Sequence, residues 1–269
     1  MRRILLGAVV ATLMLGGCGR QHHNLTPLAE RLDAFANAHD LNGFTSLLTD
    51  NVVIKGPDGS THVGKDSARA WLEPYLPGFH VESYGWEHAG DTLKWMSTVH
   101  SDAFAHMGIN PMKLHTMAVF SGEKIRYFAT APNQETANKL RFQEFFNTVV
   151  NERHIDDVDK FLSDDFVEHQ PLPPNAPKGR DGVKSFFRMV TEAFPDLHVT
   201  IDLSLGDGDY VFVASTWTGT NKGAFMGRRP TNKSMTWTSG DVVHILDGKA
   251  TEHWGWDNMA EQMASGHQK

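Results

Sequence analysis

Cysteine is almost absent: the 269-residue chain holds one, Cys18. That excludes an internal disulfide framework and any cysteine-based zinc site. Basic tracts are missing too. Lys and Arg number 25 against 32 Asp and Glu, for a formal charge of −7. Nucleic acid is excluded as a partner on that ground, because binding it needs many phosphate-neutralising cations on one face. No apolar run reaches the roughly 20 residues of a membrane-spanning helix. Histidines number 15, yet no HExxH or similar close pair accompanies them. His169, His244, His253 and Asp257 offer imidazole and carboxylate ligands, but without that spacing no metal site is expected. What remains is 40% apolar and 21% charged, the composition of a folded globular protein.

The first residues read as a leader. Arg2 and Arg3 form a positive start, Ile4–Leu15 an apolar run of signal-peptide length, and Leu15-Gly16-Gly17-Cys18 then resembles a bacterial lipobox. The sole cysteine falls at the cleavage point, so residues 1–17 are expected to be removed and Cys18 lipidated. Residues 18–25 then form the lipidated start and a polar tether. Several acyl chains on one cysteine give stable anchoring, at about 0.8 kcal/mol per buried methylene. The expected location is the bacterial cell envelope, facing the periplasm, with membrane contact through the lipid; Gly19 weakly favours the outer membrane where one exists.

A faint repeat organises the rest. FTSLLTDNVV at 44–53 parallels VDKFLSDDFV at 158–167; GKDSARAWL from Gly64 parallels GRDGVKSFF from Gly179; FHV at 79–81 parallels LHV at 197–199. The spacing between copies grows slowly while the order holds, which is the mark of a duplication with lengthening loops. Domains are therefore expected at 26–133 and 134–265, with the break in APNQET. Each copy reads helices first, then strands. In the second, Leu140, Phe145, Phe146, Val149 and Val150 recur at helical spacing, predicting a long helix over 134–152 and a short one from Ile155. Asp181 is the expected N-cap of a third helix, ended by Pro195. Strands follow, with Gly206-Asp207-Gly208 and Asp247-Gly248 as hairpin turns. In the first copy, Thr26-Pro27 reads as N-cap and first helical residue, ahead of Leu28, Leu32, Phe35 and Ala36. The fold class is α+β: two tandem cone-shaped α+β barrels, each with N-terminal helices packed on a curved antiparallel sheet.

The motifs DDFVEHQP, GRDGVKSFF, AFPDLHV, GTNKGAFMGRRPTNKSMTW and DGKATEHWGWDN, in that order, resemble the SnoaL-like polyketide cyclase family. That family lies within the nuclear-transport-factor-2-like superfamily, to which the first copy bears only a looser resemblance. The resemblance implies cofactor-free chemistry: ring closure by intramolecular aldol condensation, with a carboxylate as acid and base. It places that carboxylate at Asp257, a strand histidine at His244, and polar pocket positions at His169 and Gln170. The pairing of homodimers in the superfamily implies either a homodimer or a similar pairing of the two halves within the chain.

Proton transfer at carbon needs a base in a water-poor pocket, where desolvation strengthens it, and a donor for the developing enolate. Asp257 follows Trp254 and Trp256, and His244, His169 or Gln170 can donate. Phe187, Trp217, Phe225 and His253 are candidate walls of the substrate site. Asp257 reads equally as a helix cap, since Asn258 and Glu261 have capping-box spacing. Positions 131 and 132 of the first copy, Ala and Pro, carry no acid, so that copy is expected to be a structural or docking partner. Two functions stay open: an enzyme moving protons on a small carbonyl compound, or an envelope protein that only binds a hydrophobic small molecule or a partner protein.

Overall fold

The computed structural model describes residues 24–172 and 175–265. The leader and Cys18 lie outside the described residues. The first half runs α1 (Thr26–Asn37), α2 (Leu41–Ser46), β1 (Leu48–Lys55), β2 (Thr61–Val63), α3 (Lys65–Leu72), β3 (His80–Ala89), β4 (Thr92–His100), α4 (Asp102–His106), β5 (Met112–Ser121) and β6 (Lys124–Pro132). The second runs α5 (Gln134–Phe145), α6 (Val158–Phe161), β7 (Leu162–Glu168), α7 (Gly179–Ala193), β8 (His198–Asp207), β9 (Tyr210–Thr220), β10 (Ser234–Leu246), β11 (Lys249–Asp257) and α8 (Met259–Ser265).

The repeat is visible in the pairing. One sheet is ordered β2-β1-β6-β5-β4-β3 and the other β7-β11-β10-β9-β8. In each, the first long strand joins the last in parallel, while the other neighbours are antiparallel. Each sheet curves over its own helices and closes its own apolar core. The fold is two tandem α+β cones.

Local chemistry explains most element ends. Pro27 sits in the first turn of α1, where its missing N–H costs nothing, but Thr26 is already helical and its N–H is taken by Asn24 Oδ1 at 3.2 Å. The expected Thr26 cap is thus one residue late. Lys178 stands at the N-cap of α7, not Asp181, which instead places its charge in the first turn, against the positive end of the helix. The predicted helix over 134–152 is present, but from Phe146 to Asn151 it loosens to a π-helical stretch whose Val149 and Val150 are fully buried. Asp247 and Gly248 both have positive φ, 49° and 74°, as a two-residue hairpin turn of matching twist requires.

The halves are joined without a linker. Only Asn133 separates β6 from α5; its side chain caps α5 by accepting from Thr136 N at 3.0 Å, and its own N–H is bound by Lys113 O at 2.9 Å. Next to it Lys139, buried in α5, donates to the carbonyls of Ile109 and Pro111 at 3.0 and 2.8 Å. Burial lowers its ammonium to about 8. Ser204 on β8 donates to Gly108 O.

Candidate active site

Between α5, α7 and the concave face of the second sheet lies a cavity that encloses, with its mouth, about 990 Å³ of space free of protein atoms. Its walls are largely aromatic: Phe142, Phe145, Phe146, Phe187, Trp217 and Trp237. Four polar side chains from the sheet break that lining, Ser239, Asp241, His253 and Asp257, joined by Gln170 from the segment after β7.

The register of β10 on β11 decides which side chains enter. Val243 pairs with His253, Asp241 with Gly255 and Ser239 with Asp257. Directly paired residues share a face, so Ser239, Asp241, Val243, His253 and Asp257 look inward. His244 pairs with Glu252 and looks out. It stacks on Tyr210 at 4.5 Å and shares a hydrogen bond with Thr251 Oγ1 at 2.8 Å. His169 is also outside: it stacks on Trp254 at 4.5 Å, nearly parallel, and bonds Glu252 Oε2 at 2.9 Å. Neither histidine lines the cavity, which corrects the expectation for both. Phe225 is buried in the core, edge-on to Phe194, and does not reach the cavity either. Phe187, Trp217, Gln170, His253 and Asp257 do line it.

The centre of the polar group is His253. Its Nδ1 is 2.8 Å from both oxygens of Glu168, and its Nε2 is 3.1 Å from Asp241 Oδ1. Burial alone drives the imidazole towards neutrality, and it is the largest single influence. The hydrogen bonds and charges of Asp241 and Glu168 together outweigh it and push the pKa up to about 9. At neutral pH this is an imidazolium held between two carboxylates, all three side chains less than a fifth exposed. A buried charge costs several kcal/mol unless paired, and here each one is. Asp241 Oδ2 accepts from Ser239 Oγ at 2.8 Å, and Ser239 Oγ in turn receives the Trp217 indole N–H at 3.0 Å. Ser215 Oγ adds a contact of 2.9 Å to the same hydroxyl.

Asp257 lies at the mouth and is exposed. Its Oδ2 accepts from Gln170 Nε2 at 3.0 Å and its Oδ1 from Met259 N at 2.9 Å, so it caps α8. Glu168 Oε1 accepts from the Gln170 N–H at 2.8 Å, which fixes that residue in turn. Sequence reasoning missed Asp241, Glu168 and Ser239. A signal for Asp241 existed: in GDVVHIL it alternates with Val243 and Ile245, an acid on an otherwise apolar face.

Comparison with known proteins agrees with the repeat. The SnoaL-like polyketide cyclase family model matches residues 140–265, and the SnoaL-like domain model matches residues 29–127. Among solved structures, a candidate polyketide cyclase from Bacillus cereus ATCC 10987 is 23% identical, with a TM-score of 0.42, over 49% of this chain and 80% of that one. A candidate SnoaL-like polyketide cyclase from Jannaschia sp. CCS1 is 21% identical, with a TM-score of 0.45, over 50% of this chain and 94% of that one. A nuclear-transport-factor-2-like protein of unknown function from Cytophaga hutchinsonii is 10% identical, with a TM-score of 0.35, over 40% and 88%. No curated protein matches the chain. With one SnoaL-like match in each half, in the same order as the two sheets, the chain carries two SnoaL-like domains in tandem.

Proposed function

We propose that the C-terminal domain is a cofactor-independent enzyme that moves a proton at carbon on an apolar carbonyl compound, in a cyclase or isomerase type of reaction. The observation that carries this reading is Asp241, an acid 8% exposed that lines an aromatic cavity. It is oriented from one side by His253 and from the other by Ser239. The match of residues 140–265 to a polyketide cyclase family supports it. In this reading Asp241 is the base. Its carboxylate takes a proton from the carbon beside the carbonyl, the C–H electron pair becomes the enolate, and the negative charge gathers on oxygen. The second N–H of the Gln170 amide, whose first goes to Asp257, is the donor placed to meet that oxygen. The proton returns from the Asp241 carboxyl to the product. His253 and Glu168 position the base. Asp257, expected at first to be that base, becomes a rim residue that holds Gln170.

The test is α-hydrogen exchange into 2-tetralone, an apolar cyclic ketone, followed by proton NMR in deuterated buffer. Asp241→Asn should lower the rate by about 100-fold or more without unfolding the domain. Equal rates for the two proteins sink the assignment to Asp241. No rate above buffer for the unaltered protein favours the other reading, a binding protein without chemistry.

The reading includes the envelope. Cys18 is proposed as the lipidated N-terminus of an exported chain facing the periplasm. Radiolabelled palmitate should enter the protein in its host, and Cys18→Ala should abolish both the label and membrane recovery. Label persisting in that variant overturns it.

A further inference from the structure

The N-terminal domain, expected to be structural, has a hollow of its own. It lies between α1, α3 and the concave face of the first sheet and encloses, with its mouth, about 680 Å³. Rings form much of its wall, among them Trp71, Tyr75, Phe104 and Phe128. Among the described residues a single carboxyl group, Asp33, enters it from α1. The carboxylate of this cavity therefore comes from the helical wall, where the C-terminal cavity takes its acids from the sheet.

Asp33 is not stranded. Ser83 exerts a lowering pull on its carboxyl, Ser83 Oγ lies 3.3 Å from Ser97 Oγ, and Ser97 Oγ lies 3.0 Å from Thr116 Oγ1. Ser97 and Thr116, both buried at 4% exposure, line the same cavity. This is a stripe of hydroxyls leading to one acid across an otherwise apolar wall. A ligand pocket of this kind is mostly apolar with a few polar groups that fix orientation.

We propose that this cavity is a second ligand site, for a neutral apolar compound with one hydrogen-bond-accepting oxygen, a ketone or an ester, and that Asp33 is its polar contact. Charge and cavity agree on the class. Among the described residues no cation lines the hollow, so an anionic ligand would meet Asp33 with none of them to offset it. Burial, the largest influence, pushes the Asp33 carboxyl up to about 6, against the weaker pull of Ser83. Below that pH the group is a donor, which is what a carbonyl oxygen requires; above it, the group is an anion facing the same oxygen. Binding therefore weakens as pH rises through about 6.

Benzophenone is the probe. It is neutral and apolar, carries one carbonyl, and inserts into nearby C–H bonds under near-ultraviolet light. The full chain is irradiated with it at about pH 5 and about pH 7.5, and the adducts are mapped by peptide mass spectrometry. Adducts are expected on the α1, α3 and β4 peptides, with a yield that falls roughly tenfold at the higher pH. Asp33→Asn keeps a donor that does not titrate, so its yield should be the same at both values. Adducts absent from the N-terminal domain overturn the site. The same pH dependence in Asp33→Asn overturns the role of Asp33. Should that variant fail to fold, the pH dependence of the unaltered chain still decides, since a yield unchanged between the two values overturns the role equally. Adducts in the C-terminal cavity are read on different peptides, so this proposal and the enzymatic one fail separately.

Discussion

The two cavities share a frame and differ in where their charge comes from. Both lie between helices and the concave face of a sheet whose five long strands follow the same order, with β2 an extra edge strand in the first. In the C-terminal domain the acids, Asp241 and Glu168, stand on strands and clasp a histidine. In the N-terminal domain the acid stands on the first helix and is backed by hydroxyls. One is an ionised cluster at neutral pH and the other a lone acid that is neutral below about pH 6. The scaffold fixes the hollow, and single positions on either wall choose its chemistry.

The largest effect should come from breaking the ionised cluster. His253→Ala leaves Glu168 and Asp241 buried without their cation, at a cost of about 3–5 kcal/mol. Urea unfolding at neutral pH, followed through a C-terminal-domain signal, should show that loss; a change under about 1 kcal/mol would mean the cluster is not held as described.

The pH dependence of stability separates the two hollows next. The folded pKa of His253, about 9, lies above its ordinary 6.5. Its contribution is therefore complete below about pH 6.5 and is lost as pH rises through about 9, by up to about 3 kcal/mol. Asp33 also has a raised folded pKa, about 6 against 3.8. Its contribution is complete below about pH 4 and is lost as pH rises through about 6, on the order of 2 kcal/mol after allowance for solvent screening. Melting of the two domains across pH should show these separate windows, and Asp33→Asn should remove only the lower one. A single shared window would erase the contrast.

The smallest effect belongs to Asp257. Asp257→Ala removes a helix cap and should cost about 1 kcal/mol. It should also reduce 2-tetralone exchange far less than Asp241→Asn. If Asp257→Ala abolished exchange while Asp241→Asn did not, the base would sit at the mouth of the cavity and not within it.

Much of this was legible in the sequence. The ordered repeat, the Asp247-Gly248 turn and the amphipathic run of α7 follow from short-range spacing, which side-chain periodicity reports directly. The inward set of β10 and β11 does not. A two-residue turn alone would pair His244 with Thr251 and put it on the face of His253. The structure has a register shift after His244, so that Thr251 is the extra residue and His244 pairs with Glu252. One extra residue reverses every side chain beyond it. The extra residue is on β11, so that step turned His253 and Asp257 inward, while β10 alternates unbroken from Ile245 to Asp241 and leaves His244 facing out. In the first copy Ala131 and Pro132 stand where Asp257 would match, so the repeat itself points to no acid there. Asp33 is far from that position in sequence, and only the packing of α1 on the sheet brings it to the cavity.

Asn133 is the only residue of chain between the last strand of one cone and the first helix of the other. Tandem modules usually owe their freedom to slack chain between them, and this pair has none: the residue that ends one is the cap that starts the other. Swinging one half against its neighbour would fray the opening turn of α5, the helix whose Phe142, Phe145 and Phe146 wall the aromatic chamber. The geometry of that chamber is thereby tied to the partner module, and anything that loosens the junction should be felt by whatever molecule sits inside.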